Sequence, residues 1–329
     1  MNLIKKSAWL MTLAVLLACV VSCAEKEEEE ITSESMSGTV VYDIPYYVLK
    51  GETVTMSASG IIYPKEVIYK WYIPGVYADT LSARKVSVRF PDSLGVFNVT
   101  AVSLASGFFI SSTTQAVTTV DTTWNTSLSG LYKSRLTFTD SRDGHTYRYV
   151  QAGGLDWFSQ NLAWQGTGVP FRSSPATAQM FGSFYTWEEA AAACPEGWRL
   201  PTQADWESLS AAMSGGVSVG FFDDWKGLGA KASADARLNG ERMWPYSPDN
   251  LHSNSLGWNA IPLGFGAKDS NDVQGLNEYG CWWTSEEKNA DQAYYRYIYY
   301  DLDSFPLGFA SKDELRVSVR CVRTHPQSL

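Results

Sequence analysis

Cysteine supplies the most reactive chemistry in the chain, at positions 19, 23, 194, 281 and 321. Cys194 opens the stretch CPEGWRLPT, residues 194–202. A nucleophilic cysteine needs a base within reach, usually histidine. The histidines are His145, His252 and His325, and none falls between residues 146 and 251. His145 or His252 could therefore approach Cys194 only through the fold. The alternative chemistry is a disulfide, which an exported chain favours. No two histidines stand at the spacing of a zinc pair, so the expectation is no metal. The segment DSRDG, residues 140–144, could start a calcium loop, but the rest of the twelve-residue pattern is missing, and a turn is expected. No phosphate-cradling GxxxxGK[ST] loop occurs, so no cofactor is expected.

Binding chemistry is better represented. The chain has 13 Trp and 18 Tyr among its 329 residues. Flat rings stack on sugars and peptides, although the same rings also fill cores. A long segment rich in Gly, Ser, Asn and Asp runs from about Gly215 to Gly280. Loops on a rigid scaffold are where binding residues concentrate, so Trp225, Trp244, Tyr246, Asn271 and Asp272 are the candidate ligand-binding residues. Aromatic platforms beside amide and carboxylate groups suit polyols. The run YYRYIYY, residues 294–300, alternates so that Tyr295, Tyr297 and Tyr299 share a strand face. That face is either packed sheet or a binding stripe. A formal net charge of −9 lacks the basic footprint of a nucleic-acid binder.

The elements that must carry these residues begin with an address. Lys5 and Lys6 precede an apolar run, Ala8–Val21, that suits a signal peptide over residues 1–22 and is short for a membrane span. It ends in Val20-Val21-Ser22-Cys23, which resembles the bacterial lipobox; the resemblance implies lipidation of Cys23, with Cys19 as a weaker candidate. Several acyl chains would hold the protein to a membrane. AEKEEEE follows, part of an acidic tether over residues 23–34 that is expected to be disordered. Acidic residues just after the lipid-bearing cysteine resemble the surface-export signal of Bacteroidota lipoproteins, which implies the outer face of the outer membrane.

Residues 35–121 alternate with period two, at Val54, Met56 and Ala58, at Val67, Tyr69 and Trp71, and at Val86, Val88 and Phe90. Gly51, Gly60, Pro64, Pro91 and Gly95 punctuate the runs. Short, regularly spaced strands predict an all-β sandwich. KGETVTMSASG, YKW and FPDSLGVFNVTAVS occur in the order of PKD and related Ig-like bacterial modules, and this stretch resembles them. That implies a spacer or interaction platform with Trp71 in its core. A polar linker is expected over residues 122–130.

The remaining residues, 131–325, are expected to form a second domain. Leu136, Phe138, Tyr147 and Tyr149 flank Asp143-Gly144 as a β-hairpin. Trp187–Ala193 is helical by propensity and is stopped by Pro195 and Gly197. Thr202 opens a second helix with Asp205 as an acidic partner in a capping box. DSRDGHTYRYVQAGGLDWFSQNLAW, GSFYTWEEAAAACPEGWRLPTQADWESL, WNAIPLGF, CWWTSEEKNADQAYYRYIYY and VSVRCVR occur in the order of the Fibrobacter succinogenes major paralogous (FISUMP) domain, which the chain resembles. The skeleton is also similar to bacterial C-type-lectin-like domains, implying an α+β fold with two helices and a small twisted sheet.

The resemblance implies a Cys194–Cys321 disulfide, closing a loop worth about 4–5 kcal/mol. Cys281 stands where the family has a turn residue, which leaves it as an odd, buried thiol. The proline triplets of calcium-dependent lectins are absent, so the calcium route to sugar binding is not expected. The reading that follows is a multidomain, non-enzymatic surface lipoprotein that binds a glycan or a surface protein. A subunit or cap of a surface assembly such as a fimbria is the alternative, and a formylglycine-generating-like enzyme using Cys281 is a minor one.

Overall fold

A computed structural model describes residues 33–121, 127–270 and 272–325. Strands dominate, and they form two units. The first unit contains β1 (Val41–Asp43), β2 (Tyr47–Leu49), β3 (Thr53–Ser59), β4 (Ile68–Tyr72), β5 (Lys85–Arg89), β6 (Gly95–Leu104) and β7 (Ser111–Val120). They make a three-stranded sheet, β1-β3-β5, and a four-stranded sheet, β2-β7-β6-β4. Alternate residues of both sheets point into one core, where Met56, Trp71, Val88, Phe90, Val99 and Val117 are buried. Trp71 is the centre of this core, and its indole N–H donates to the Ala83 carbonyl at 2.8 Å. An indole that donates to a carbonyl is buried without an orphaned donor.

The second unit contains β8 (Leu128–Ser129), β9 (Thr137–Thr139), β10 (Thr146–Ala152), β11 (Leu155–Phe158), α1 (Trp187–Ala191), α2 (Gln203–Met213), β12 (Tyr279–Glu287), β13 (Gln292–Tyr299), β14 (Leu307–Ser311) and β15 (Val322–Thr324). The expected hairpin is β9–β10, with Tyr147 opposite Phe138. Asp140 accepts from the Arg142 backbone and guanidinium across its turn. Both helices begin with a capping box, Thr186 with Glu189 and Thr202 with Asp205. Two residues of the expected linker are structural: Leu128 and Ser129 pair with Leu238 and Arg237.

The sheet β12-β13-β14 separates two cores. One face, with Trp282 and Ile298, packs on Trp157, Trp206, Trp258 and Phe305. The other, with Cys281 and Trp283, packs on Tyr147, Phe158, Tyr185 and Val319. Cys194 and Cys321 are bonded in the second core, 127 residues apart in sequence. The opening stretch is thus a staple. Arg199 and Val322 exchange backbone hydrogen bonds at 2.9 Å in both directions, which ties CPEGWRLPT to β15.

A third core joins the units. Tyr47 and Val120 of the sandwich pack with Phe171, Met180, Phe181 and Met243 of the second unit. The Ser174 hydroxyl donates to the Tyr47 carbonyl at 2.6 Å, and the Asn239 amide to the Thr119 carbonyl at 2.9 Å. This contact lies at the end of the sandwich where β6 starts and β7 stops, because Val96 pairs with Thr118 there. Near the start of the described residues, Glu34 and Ser37 lie at the opposite end, bridged to Phe108 and Tyr63.

Candidate functional site

The described residues expected to bind ligand do not assemble into a site. Trp225 is 2% exposed and Trp244 is fully buried, which corrects their expected role as platforms. The physical causes are local. Trp225 lies under the Arg296 guanidinium at 3.6 Å and donates its N–H to the Gly220 carbonyl. Trp244 stacks on His252 at 5.5 Å and donates to the Ala260 carbonyl. A ring sandwiched in this way has no face left for a ligand. Tyr246 is 74% exposed. Asp272 is exposed and faces Arg172 at 3.7 Å, in a crevice with Val169 and Arg316. Asn271 and the lipidation candidate Cys23 lie outside the described residues.

The tyrosine stripe does form a site. In β12 and β13 the cross-strand pairs are Tyr279 with Tyr299, Cys281 with Tyr297 and Trp283 with Tyr295. Directly opposed residues share a face, so period-two alternation on both strands places all six side chains together. The rings form a ladder. Trp283 to Tyr295 and Tyr295 to Tyr297 are each 5.9 Å between centroids, Tyr297 to Tyr279 is 6.2 Å and Tyr279 to Tyr299 is 4.6 Å. The Trp283 end is closed by the core. Towards Tyr279 and Tyr297 the face opens into a groove of about 490 Å³, within the range of small-ligand sites.

Phe265 and Leu315 form one side of the groove, and Leu307, Gly308 and Phe309 of β14 the other. Phe265 meets Tyr279 edge to face at 5.9 Å. Lys288 sets its ammonium over the Phe309 ring at the rim. Cys281 lies in the floor, where complete burial pushes its thiol up and keeps it protonated. Desolvation likewise raises Tyr295, Tyr297 and Tyr279 above the usual phenol value. Their hydroxyls therefore stay protonated at neutral pH, able both to donate and to accept. The result is an apolar trough edged by neutral hydroxyls, built for non-covalent contact.

Sequence reading reached Tyr295, Tyr297 and Tyr299 but missed Tyr279, Phe265, Gly308 and Phe309. Tyr279 sits two residues before Cys281, so the alternation of β12 carried a signal for it. Phe265 and Phe309 arrive from distant segments and carried none.

The second unit is thus a β-rich, disulfide-stapled unit with an aromatic groove on its central sheet. The Fibrobacter succinogenes major domain profile matches residues 150–323, just over half of the chain, and the protein belongs to that family. No curated protein matches the chain. Among solved structures, the Yersinia pseudotuberculosis adhesin InvE is similar at 13% identity over 87% of this chain and 70% of that one; the TM-score is 0.22, too low to imply a shared fold.

Proposed function

We propose that the protein is a surface-anchored, non-enzymatic binding protein whose head captures glycan in the tyrosine groove. In this reading Cys23 carries the lipid on the outer membrane, facing outward. The sandwich is an Ig/PKD-like spacer, and the second unit is a C-type-lectin-like head. The observation that carries the reading is the open end of the ladder, where Tyr279 and Tyr297 combine ring faces with protonated hydroxyls. Sugar rings present apolar C–H faces and equatorial hydroxyls, so stacking and directed hydrogen bonds work together on such a surface.

The layout supports the same reading. The head packs on one end of the sandwich and the segment that follows Cys23 enters at the other, so the groove-bearing unit is held away from the anchor. Catalysis is disfavoured at the groove because its thiol is protonated and no histidine lines it. The experiment is a glycan array probed with the mature chain, beside a Tyr297→Ala variant. Binding that is lost in the variant supports the reading. Silence across the array shifts the weight to a protein partner. The outer strand β14 offers that alternative, since the edge of a sheet can take an added strand in a surface assembly.

A further inference from the structure

The sandwich carries an apolar apex that neither core absorbs. Two loops build it, residues 60–67 between β3 and β4 and residues 105–110 between β6 and β7. Ile62 is 77% exposed, Ile110 65% and Phe109 61%, and Tyr63 and Ile68 are also exposed. The loops are held as one surface. Tyr63 meets Phe108 edge to face at 5.6 Å. The incoming chain runs between them, with the Ile62 N–H donating to the Ser37 carbonyl at 2.9 Å and the Phe109 N–H to the Glu34 carbonyl at 2.8 Å. Several large apolar side chains exposed on two adjoining loops are what an interaction site presents.

We infer that this apex docks on the lipid bilayer in which the protein is anchored, inserting Ile62, Phe109 and Ile110 at the headgroup boundary. The inference rests on the reading of Cys23 as the lipid carrier. Glu34 belongs to the apex and stands eleven residues after Cys23. A chain of that length reaches at most about 40 Å when fully extended. A lipid on Cys23 therefore keeps this end of the sandwich within about 40 Å of the membrane, the shortest tether of any part of the fold. The side chains found there are those that partition into an interface, aliphatic groups with a tyrosine beside them. Lys65 and Glu66 flank the crevice between the loops with opposite charges, and the acidic tether would be repelled by anionic lipid. The matching surface is zwitterionic, and apolar contact drives the docking. Docking sets the long direction of β6 and β7 away from the bilayer and lifts the head to the far end.

The test uses the chain from Ala24 onward, which lacks Cys23 and keeps every described residue. It is sedimented with phosphatidylcholine vesicles, beside Ile62→Ser/Phe109→Ser. The expected result is partition of the parent that is insensitive to salt and falls at least tenfold in the double variant. Partition that is absent, or equal in parent and variant, overturns the inference. A concentration-dependent dimer without vesicles that the double variant abolishes also overturns it, because a second copy then covers the apex. Should the double variant unfold, Ile110→Cys carrying an environment-sensitive dye replaces it: a blue shift on vesicle addition supports insertion, and an unchanged spectrum refutes it. The anchoring reading stands or falls separately, on whether the native protein carries an acylated Cys23 by mass spectrometry.

Discussion

Tyr295 lies directly across Gly308. The two residues are paired on β13 and β14, and a Cβ at Gly308 would come within 2.6 Å of Tyr295 Cζ. The phenol can lie flat over β14 only because its partner has no side chain. This pair therefore sets the tilt of the ladder and the width of the groove.

Gly308→Ala is expected to displace Tyr295 and weaken groove binding by tenfold or more. The backbone of Gly308 does not need a left-handed conformation, so the effect is steric, and overpacking of this size costs about 1–3 kcal/mol. Binding and thermal melts measured on the same preparation check it. A variant that binds like the parent would show that the ladder tolerates a shifted Tyr295.

Removing the staple has a larger effect. The Cys194–Cys321 bond closes a loop of 127 residues, for which chain entropy gives about 4–5 kcal/mol. Cys194→Ala/Cys321→Ala should lower the stability of the head by about that amount, measured by denaturant unfolding with tryptophan fluorescence. A loss near zero would mean that the Arg199–Val322 backbone pair already fixes these ends.

Arg320 is a second organising centre. Its fully buried guanidinium donates to the carbonyls of Phe158, Trp258 and Asn259 and to the Asn161 side chain, and it lies 4.5 Å from the Trp258 ring. Desolvation pulls its pKa down to about 9. A lysine cannot reproduce the planar fork, so Arg320→Lys is expected to cost about 3 kcal/mol by leaving carbonyls unpaired. Equal melting temperatures for Arg320→Lys and the parent would refute the role.

The fold also has an acid limit. Burial pushes the Asp205 carboxyl up, but hydrogen bonds from Arg199 and Thr202 outweigh it and hold the group below its ordinary value. A carboxyl depressed in the folded state stabilises fully above its unfolded pKa, about 3.9, and loses that contribution as pH falls through the folded value. Unfolding at graded pH should show stability falling below about pH 4. Asp205→Asn should flatten that dependence while costing about 1 kcal/mol at neutral pH, as caps do. An unchanged acid slope in the variant would assign the loss to other carboxyls, Asp140 with Arg142 first among them.

Much of the scaffold was legible because it is written locally. Period-two alternation around Val86, Val88 and Phe90 located β5, and Thr202 with Asp205 located the start of α2. Cys281, expected as an odd, buried thiol from its departure from the family pattern, is free and buried. The site was legible only in part. Trp225 and Trp244 sit in a segment whose Gly, Ser and Asn content reads as exposed loop, yet Arg296 and His252, both distant in sequence or irregular in backbone, draw the indoles inside. The tyrosine stripe was visible as alternation. Its openness was not, because that depends on Gly308 falling opposite Tyr295.

The central claim is that the ladder, rather than the long loop, holds the ligand. The measurement is a glycan array probed with three proteins, the chain from Ala24 onward and its Tyr297→Ala and Tyr246→Ala variants. Signal for the parent and Tyr246→Ala, with at least a tenfold loss for Tyr297→Ala, is the predicted result. Signal that survives Tyr297→Ala, or that disappears with Tyr246→Ala instead, would contradict the account.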